Sequence, residues 1–386
     1  MKILFYSHSS TAYGATSSMV NLIMGIRKLY PSISVHVILP KRGRLESVLI
    51  EQDIPYTIIL NNPWFYNAEL SNKKKKSNWV LWYLWFLKNK WQKKISNKLF
   101  LKKHVAFAKT FSPDYIYTNS SLAPMGGYVS LKMGIPFIWH HRETVNDSAY
   151  NYYLEFPKEF DDLYLNTKLH VFTSSFLAKN YSKFTSNGAS LITFNGVKFK
   201  SDFNSKERLS PDERIKLGLV GRINSQKGQK EVIEVFHKLR KNNRYELHII
   251  GDGNKDYIQS IGCLNEQANL IFHGFLNKNE IFNKFDFLII NSTNEAFGRV
   301  VAEANYNGIP VIAKNSGAFP EIIDDKINGF IFNNTNELQI ILEKLDSYIK
   351  TGEYEKLSKN ARHKFEKNFS IEDYTIKIVE KLKNLN

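Results

Sequence analysis

Two carboxylates eight residues apart bracket the run Glu295-Ala296-Phe297-Gly298-Arg299-Val300-Val301-Ala302-Glu303-Ala304. Glu295 stands in the loop after an apolar strand over 285–291. Glu303 lies about one turn inside the helix that follows, so both belong to one sheet rim. Carboxylates on such a rim accept hydrogen bonds from sugar hydroxyls, and backbone N–H groups at Phe297 and Gly298, where the helix starts, can hold phosphate. Upstream, a strand over 216–220 runs into Gly221-Arg222 and then Gln226-Lys227-Gly228. Arginine offers a planar fork and lysine a point charge, a pair suited to a diphosphate, although two solvated surface cations are the plainer reading. Gly251-Asp252-Gly253 closes another strand, where glycine permits a tight turn or a close approach to a ligand. Further on, Asn315-Ser316-Gly317-Ala318 follows the strand 310–313, and its glycine suits the same close approach. The first loop, SHSSTAYGAT, has neither G-x-G-x-x-G nor G-x-x-x-x-G-K-[ST]. Its small residues still open a helix at Gly14 and Ala15 and offer backbone N–H groups to an anion.

The elements that must carry these residues alternate. Strands over 2–7, 35–39 and 56–60 enclose helices over 15–29 and 44–51, with Met19, Leu22, Ile23 and Ile26 forming one helical face. Strands over 115–118, 136–139 and 170–173 follow, with a helix over 123–133. The alternation resumes with strands over 216–220, 246–250, 270–272, 285–291, 310–313 and 330–332, with helices over 228–241 and 300–307. Two helices close the chain, near 354–366 and 371–385. This is the signature of parallel sheets covered by helices on both faces. At 386 residues the chain exceeds what one core supports, so two α/β domains are expected, joined through the polar stretch 198–212.

Composition excludes several classes. A single cysteine, Cys263, rules out a disulfide framework and a cysteine-based zinc site. No apolar run reaches the roughly 18 residues of a spanning helix, and the N-terminus lacks the pattern of a signal peptide. The expected location is therefore cytoplasmic. The net charge of +16 is uneven: residues 1–199 carry +14 and residues 200–386 only +2. Residues 70–113 hold 12 lysines and no acidic residue. Charge concentrated in one half implies a polyanionic partner there, whether acidic lipid, nucleic acid or acidic substrate.

Taken in order over about 110 residues, G-R-x-x-x-x-K-G, G-D-G, His273-Gly274-Phe275, E-A-F-G-x-V-x-x-E-A, G-I-P-V-I and S-G-A-x-P-E-I-I resemble the retaining nucleotide-sugar glycosyltransferases of family four. Asn195-Gly196-Val197 and Pro136-Phe137-Ile138-Trp139-His140-His141-Arg142-Glu143 are similar to the family's N-G-V and H-x-R-E segments. The resemblance implies the GT-B fold: α/β, two Rossmann-like domains facing across a cleft, with the C-terminal helix crossing back to the first. The implied division is 1–199 for the acceptor domain, 200–368 for the nucleotide-sugar domain and 369–386 for the returning helix. Arg222 and Lys227 would hold the donor diphosphate and stabilise the leaving group, Glu295 would contact the transferred sugar, and Glu303 the ribose. Gly221, Gly251, Phe275, Phe297 and Gly298 complete the implied donor contacts, with Gly14 and Ala15 facing the phosphates. His140 would sit near the transferred sugar, with His141 as its rival and an Arg142–Glu143 ion pair as the structural reading of that segment. No D-x-D motif is present, and two fixed cations suffice for a leaving diphosphate, so no metal or cofactor is expected. Retention is expected by front-face attack, the departing phosphate taking the acceptor proton.

An insertion at about 61–109 does not belong to this pattern. Trp79, Trp82, Trp85 and Trp91 fall within thirteen residues, and Leu84, Leu87, Trp91, Ile95 and Leu99 make one helical stripe among lysines that include Lys88 and Lys90. That is the composition of an interfacial helix, with aromatics at head-group depth and lysines on phosphates, as against a core helix with a solvated face. The expectation is a peripheral enzyme on the inner membrane face, taking a nucleotide-sugar, UDP-linked by preference, to a glycan or lipid-linked glycan in surface polysaccharide synthesis. An epimerase or phosphorylase on the same fold, and a basic nucleic-acid-binding protein, are the competing readings. The second lacks any RNP, KH, helix-turn-helix or zinc signature, so no nucleic-acid partner is expected.

Overall fold

Apolar runs bounded by small polar loops build a parallel sheet in each of two units, Met1–Gly196 with Ile371–Asn386, and Val197–Ser370. The computed structural model describes all residues except 13, 68–78, 146–151, 199–212, 240–241, 263–268 and 386. The stretch expected as the linker, the lysines 73–76 and Cys263 therefore lie, save for residue 198, outside the described residues.

The first unit runs β1 (Lys2–Tyr6), α1 (Ala15–Leu29), β2 (Ser34–Leu39), α2 (Leu45–Glu51), β3 (Tyr56–Ile58), β4 (Phe65–Asn67), α3 (Trp79–Phe111), β5 (Tyr115–Thr118), α4 (Met125–Met133), β6 (Phe137–His141), β7 (Tyr152–Leu154), α5 (Pro157–Leu165), β8 (Leu169–Phe172), α6 (Ser175–Tyr181) and β9 (Ala189–Ile192). Its sheet has the order β3-β2-β1-β5-β6-β8-β9, every pair parallel. β4 and β7 form a separate antiparallel pair. β1 is buried from Ile3 to Tyr6, which is why its sequence is a continuous apolar run rather than an alternating one.

The second unit runs β10 (Ile215–Val220), α7 (Gln229–His237), β11 (Tyr245–Ile250), α8 (Lys255–Ser260), β12 (Leu270–Gly274), α9 (Lys278–Ile281), β13 (Phe287–Ile290), α10 (Arg299–Tyr306), β14 (Val311–Lys314), α11 (Phe319–Ile322), β15 (Gly329–Phe332), α12 (Thr335–Lys350) and α13 (Glu353–Asn368). Its parallel sheet has the order β12-β11-β10-β13-β14-β15. The reading of two closing helices is short by one. α12 buries Leu338, Leu342, Leu345 and Ile349, a clear helical stripe, and Asn334 caps it by accepting from the N–H groups of Asn336 and Glu337.

The last helix, α14 (Ile371–Lys383), belongs to the first unit. Tyr374, Ile378, Val379 and Leu382 enter the core that holds Phe5, Leu22, Ile26 and Val37. It crosses α1 at Gly25, where a Cβ would stand 2.0 Å from Thr375 Oγ1 and 2.9 Å from Ile371 Cγ2. Glycine costs helix stability of up to about 1 kcal/mol, so its presence inside α1 is explained by this approach. Gly25→Leu should destabilise the first unit by about 1–3 kcal/mol through overpacking. A urea titration followed by tryptophan fluorescence reads the effect, and an unchanged midpoint would contradict the packing argument.

Candidate active site

In the second sheet β10 lies between β11 and β13, so the direction of chain progression reverses beside it. At such a switch point the loops leaving the strand ends diverge and form a crevice. Lys227 ends a short 3₁₀ turn, Ser225–Lys227, capped by Asn224, whose side chain accepts from the Lys227 N–H at 3.2 Å. The Lys227 ammonium contacts Glu295 Oε1 directly, and Ser292 Oγ donates to the same oxygen at 3.3 Å. Arg222 is exposed, and its carbonyl accepts from Gln229 Nε2 at 2.9 Å. Gly221 and Gly251 are stitched into the same rim, donating to the carbonyls of Ile250 and Gly274.

The loop that carries Glu295 is braced from the end of β14. Ala318 N–H donates to the Glu295 carbonyl at 2.9 Å, and Asn294 N–H to Ser316 Oγ at 3.1 Å. Gly317 has φ +62°, and a Cβ there would stand 2.5 Å from the Glu295 carbonyl oxygen. The close approach that glycine permits is thus to the backbone of Glu295, where the sequence reading had a ligand. The Phe297 ring is buried and packs edge-on against Phe369 at 5.8 Å. Gly298 caps α10. One turn in, Arg299 Nε lies 3.2 Å from Glu303 Oε1. Both carboxylates of the motif are therefore paired with a cation of their own unit. Phe275, just past β12, is exposed.

In the first sheet the order reverses between β1 and β5. Gly14 caps α1, and the carbonyl of Ala15 accepts from Asn119 Nδ2 at 2.9 Å. Arg142 Nε donates to Asn119 Oδ1 at 2.6 Å, its Nη1 to Asn195 Oδ1, and its Nη2 to the Tyr374 hydroxyl at 3.0 Å. Tyr117 meets His140 Nδ1 at 2.6 Å. Gly14, Ala15 and His140 are thereby joined through Asn119 and Arg142. The structure also separates the two histidines. His141 has both ring nitrogens engaged, with Ser121 Oγ at 2.8 Å and His170 Nδ1 at 2.9 Å, inside a cage that includes Tyr164, Phe172 and Tyr181. It is a core histidine, whereas one buried nitrogen of His140 meets no partner among the described residues.

Arg142 and Glu143 go to different partners instead of to each other. Glu143 Oε1 accepts from Ser120 Oγ at 2.5 Å and from Ser121 N–H at 2.7 Å. Burial pushes its pKa up to about 7, and the two hydrogen bonds and the charge of Arg142 offset only part of that. Tyr117, Asn119, Ser120, Ser121 and Tyr374 escaped the sequence reading. A signal existed for three of them: Asn119-Ser120-Ser121 is a small polar run straight after a strand, like the run after β1.

α3 reverses the usual order of a surface helix. Its buried residues are Asn97, His104 and Ala108. Asn97 exchanges hydrogen bonds with the Asn62 backbone, and His104 Nε2 meets the Leu60 carbonyl at 3.2 Å. Lys93 pairs with Glu155 at 2.7 Å, Lys94 with Glu159 at 3.1 Å, and Lys90 sits over the Phe156 ring. Of the expected stripe, Leu84 is 57%, Trp91 63%, Ile95 57% and Leu99 59% exposed, with Leu87 half-buried. Lys88, Trp79 and Trp85 are exposed, whereas Trp82 is half-buried and stacks on Phe86. No helix among the described residues is long and apolar enough to cross a membrane.

Residues 200–364 match the family model described as glycosyl transferases group 1. An uncharacterised 41.2 kDa protein in the cps region of Klebsiella pneumoniae is 30% identical over 167 residues, 42% of this chain and 45% of that protein. The O-antigen biosynthesis glycosyltransferase WclY of Escherichia coli is 27% identical over 175 residues, 42% of this chain and 47% of its own length. The chain thus spans less than half the length of these relatives. The crystal structure of Anabaena HepE in complex with UDP and glucose superimposes with a TM-score of 0.73 at 21% identity, covering 99% of both chains. The expected fold class, α/β GT-B with two Rossmann-like domains, is borne out by that likeness.

A carboxyl whose pKa is raised on folding holds its proton in the native state where the unfolded chain has lost it. Its contribution to stability is therefore greatest at low pH and falls as pH rises from about 4.5 to about 7. Glu143→Gln removes that decline. Between about pH 5 and pH 8 the urea midpoint of the wild type should fall relative to that of the variant, and parallel profiles would show that the carboxyl titrates normally.

Proposed function

We propose that this chain, whose second unit carries a glycosyl transferases group 1 domain, moves a sugar from a nucleoside diphosphate donor, UDP-linked by preference, to a glycan hydroxyl in surface polysaccharide synthesis. The observation that carries this reading is the contact of Lys227 with Glu295 at the switch point of the second sheet. A cation and a carboxylate held there are the two groups that a sugar diphosphate needs. Cleaving the bond from the sugar to the diphosphate builds negative charge on the leaving phosphate, which Lys227 and Arg222 stabilise without a metal. To do so Lys227 exchanges the Glu295 carboxylate for a phosphate oxygen, and Glu295 is released to accept from hydroxyls of the transferred sugar. Glu303 takes the ribose hydroxyls, backbone N–H groups at Phe297 and Gly298 take phosphate, and the rim of Gly221, Gly251 and Phe275 takes the rest of the nucleotide. Configuration is retained by front-face attack, with the acceptor proton passing to the departing phosphate. An epimerase on the same fold would use the same nucleotide-sugar without a glycan acceptor, and a phosphorylase would pass the sugar between a glycan and phosphate without the nucleotide.

The acceptor we propose is a lipid-linked glycan on the inner face of the cell membrane, with the protein peripheral there. The support is the outward stripe Leu84, Trp91, Ile95 and Leu99 on a helix with eight lysines and no acidic residue. An apolar stripe among cations complements an anionic leaflet, each nearby lysine contributing about 1 kcal/mol. Lys90, Lys93 and Lys94 are turned to protein partners, so Lys88, Lys98 and Lys102 are the cations left for phosphate on that side.

Lys227→Ala should lower transfer by roughly 10²-fold or more while the fold persists, and a loss within about threefold would remove Lys227 from the mechanism. EDTA should leave turnover unchanged; a loss that Mg²⁺ or Mn²⁺ restores would establish a metal. Co-sedimentation with anionic vesicles should weaken with salt, since screening acts within about 8–10 Å, and should fall with Trp91→Ser combined with Leu84→Ser. Binding to neither neutral nor anionic vesicles would direct the search to soluble acceptors.

A further inference from the structure

We infer that Arg299 is a positioning residue for Glu303, fixing the plane of that carboxylate so that the donor site prefers a ribose to a 2′-deoxyribose. The inference rests on the proposed reading for the ribose at Glu303, whereas the placement of the two charges does not. Both side chains belong to one short helix, α10, with Arg299 Nε 3.2 Å from Glu303 Oε1. The side chains are 20% and 15% exposed, so the pair is largely withdrawn from water.

Each charge stands at the wrong end of that helix. The first turn of a helix favours anions and the last turn favours cations. α10 begins with Arg299, has no acidic residue in its first turn, and carries Glu303 in its last. The order within the pair is the weaker one too, since a cation ahead of its carboxylate opposes the helix dipole. All six other α-helices described in the second unit obey the rule. Glu231, Asp256, Glu280, Glu321, Glu337 and Glu353 stand in the first turns of α7, α8, α9, α11, α12 and α13. The far end of α10 obeys it as well, where Arg362 of α13 donates to the Tyr306 carbonyl and lies over the Tyr306 ring at 4.3 Å. Other groups already hold the backbone on either side of the pair. A Cβ at Gly298 would stand 2.6 Å from Phe319 Cε1, so the helix start lies against that ring, and Asn307 Nδ2 donates to the Glu303 carbonyl at 2.8 Å. A local rule broken in this helix and kept in its neighbours marks a pair retained for a ligand.

What the pair can do follows from its chemistry. The last torsion of a glutamate is broad, so an untied carboxylate turns to suit whatever it meets. A guanidinium is a rigid planar fork, and its contact with Oε1 fixes the carboxylate plane. A carboxylate accepts in about four positions, so a tied one still accepts from two neighbouring hydroxyls. The 2′ and 3′ hydroxyls of a ribose present those two donors side by side. A 2′-deoxy sugar leaves one position unfilled, and the loss is greatest where the acceptor cannot turn away to water. Arg299 thus converts a carboxylate that would tolerate either sugar into one that discriminates.

The test measures the affinity of the full chain for UDP and 2′-deoxy-UDP by titration calorimetry, with GDP, ADP and their deoxy forms alongside. The wild type should bind the ribonucleotide about tenfold or more tighter than its deoxy form. Arg299→Gln should bring that ratio to within about threefold, with a urea midpoint no lower than that of the wild type. Glu303→Ala should collapse the ratio in the same way, and a ratio that survives there would move the ribose elsewhere and overturn the inference. A ratio preserved in Arg299→Gln would overturn it as well. Affinity lost equally for both forms would then assign the charge to the diphosphate, and a lowered urea midpoint would make the pair structural. A wild type that binds both forms alike would remove the ribose from Glu303 and this role from Arg299, while nucleotide binding itself would leave the transferase reading standing. Binding of none of the three nucleotides would sink both.

Discussion

The Arg142 guanidinium is a buried cation whose direct hydrogen-bond partners among the described residues are all neutral. It reaches Asn119 just past β5, Asn195 beyond β9, Tyr374 on α14 and His140 on the strand that precedes it. A buried charge is expensive unless its donors are satisfied, so each of these partners is held in place by the cost of losing it. That one requirement fixes the rim of the first sheet. Asn119 passes the constraint to the Ala15 carbonyl at the start of α1, and Tyr374 passes it to the final helix, which in turn packs on Gly25. Burial depresses His140, and the same charge adds to that effect while offsetting part of the burial that raises Glu143. Burial thus sets the direction of both shifts, and this one side chain modulates them.

The rim of the second sheet follows a different electrostatic rule. Its two motif carboxylates are neutralised locally, Glu295 by Lys227 and Glu303 by Arg299. On the proposed reading, a dianionic donor would be repelled if both carboxylates stood open. Pairing them with cations would keep the site close to neutral until a phosphate of that donor competed for the lysine. Such exchange costs little in a half-exposed site, where the ion pair is partly solvated in both states. The position of Glu295 does not depend on the ion pair, since Ser316, Gly317 and Ala318 hold its backbone from the neighbouring loop.

α3 is attached by amides, histidine and ion pairs, and turns leucine, isoleucine and tryptophan outward. In water that arrangement wastes apolar surface, about 25 cal/mol for each Å² left exposed. Its polar anchoring has a physical advantage: directional hydrogen bonds at Asn97 and His104 set the rotation of the helix, which apolar packing alone would leave looser. The rotation in turn decides which lysines pair within the protein and which stay exposed.

The alternation of apolar runs with helical stripes determined the two parallel sheets, because a strand buried on both faces can only be written as a continuous apolar run. The spacing from Gly221 through Lys227, Glu295 and Glu303 likewise determined the second rim, because strand ends and helix starts are local features. What the sequence could not decide was which polar groups meet across elements. His140 and His141 are adjacent and chemically identical; only the register of β5 against β6 puts Tyr117 beside one and Ser121 beside the other. Arg142 and Glu143 read as an ion pair because adjacent residues of opposite charge can meet, yet beyond the end of β6 they turn to different partners. The lysines of α3 read alike, and tertiary structure alone sorted Lys90, Lys93 and Lys94 from Lys88, since helix rotation about a polar anchor carries no trace in composition. Contacts between residues far apart in sequence belong to the fold as a whole, and there the tertiary structure decided.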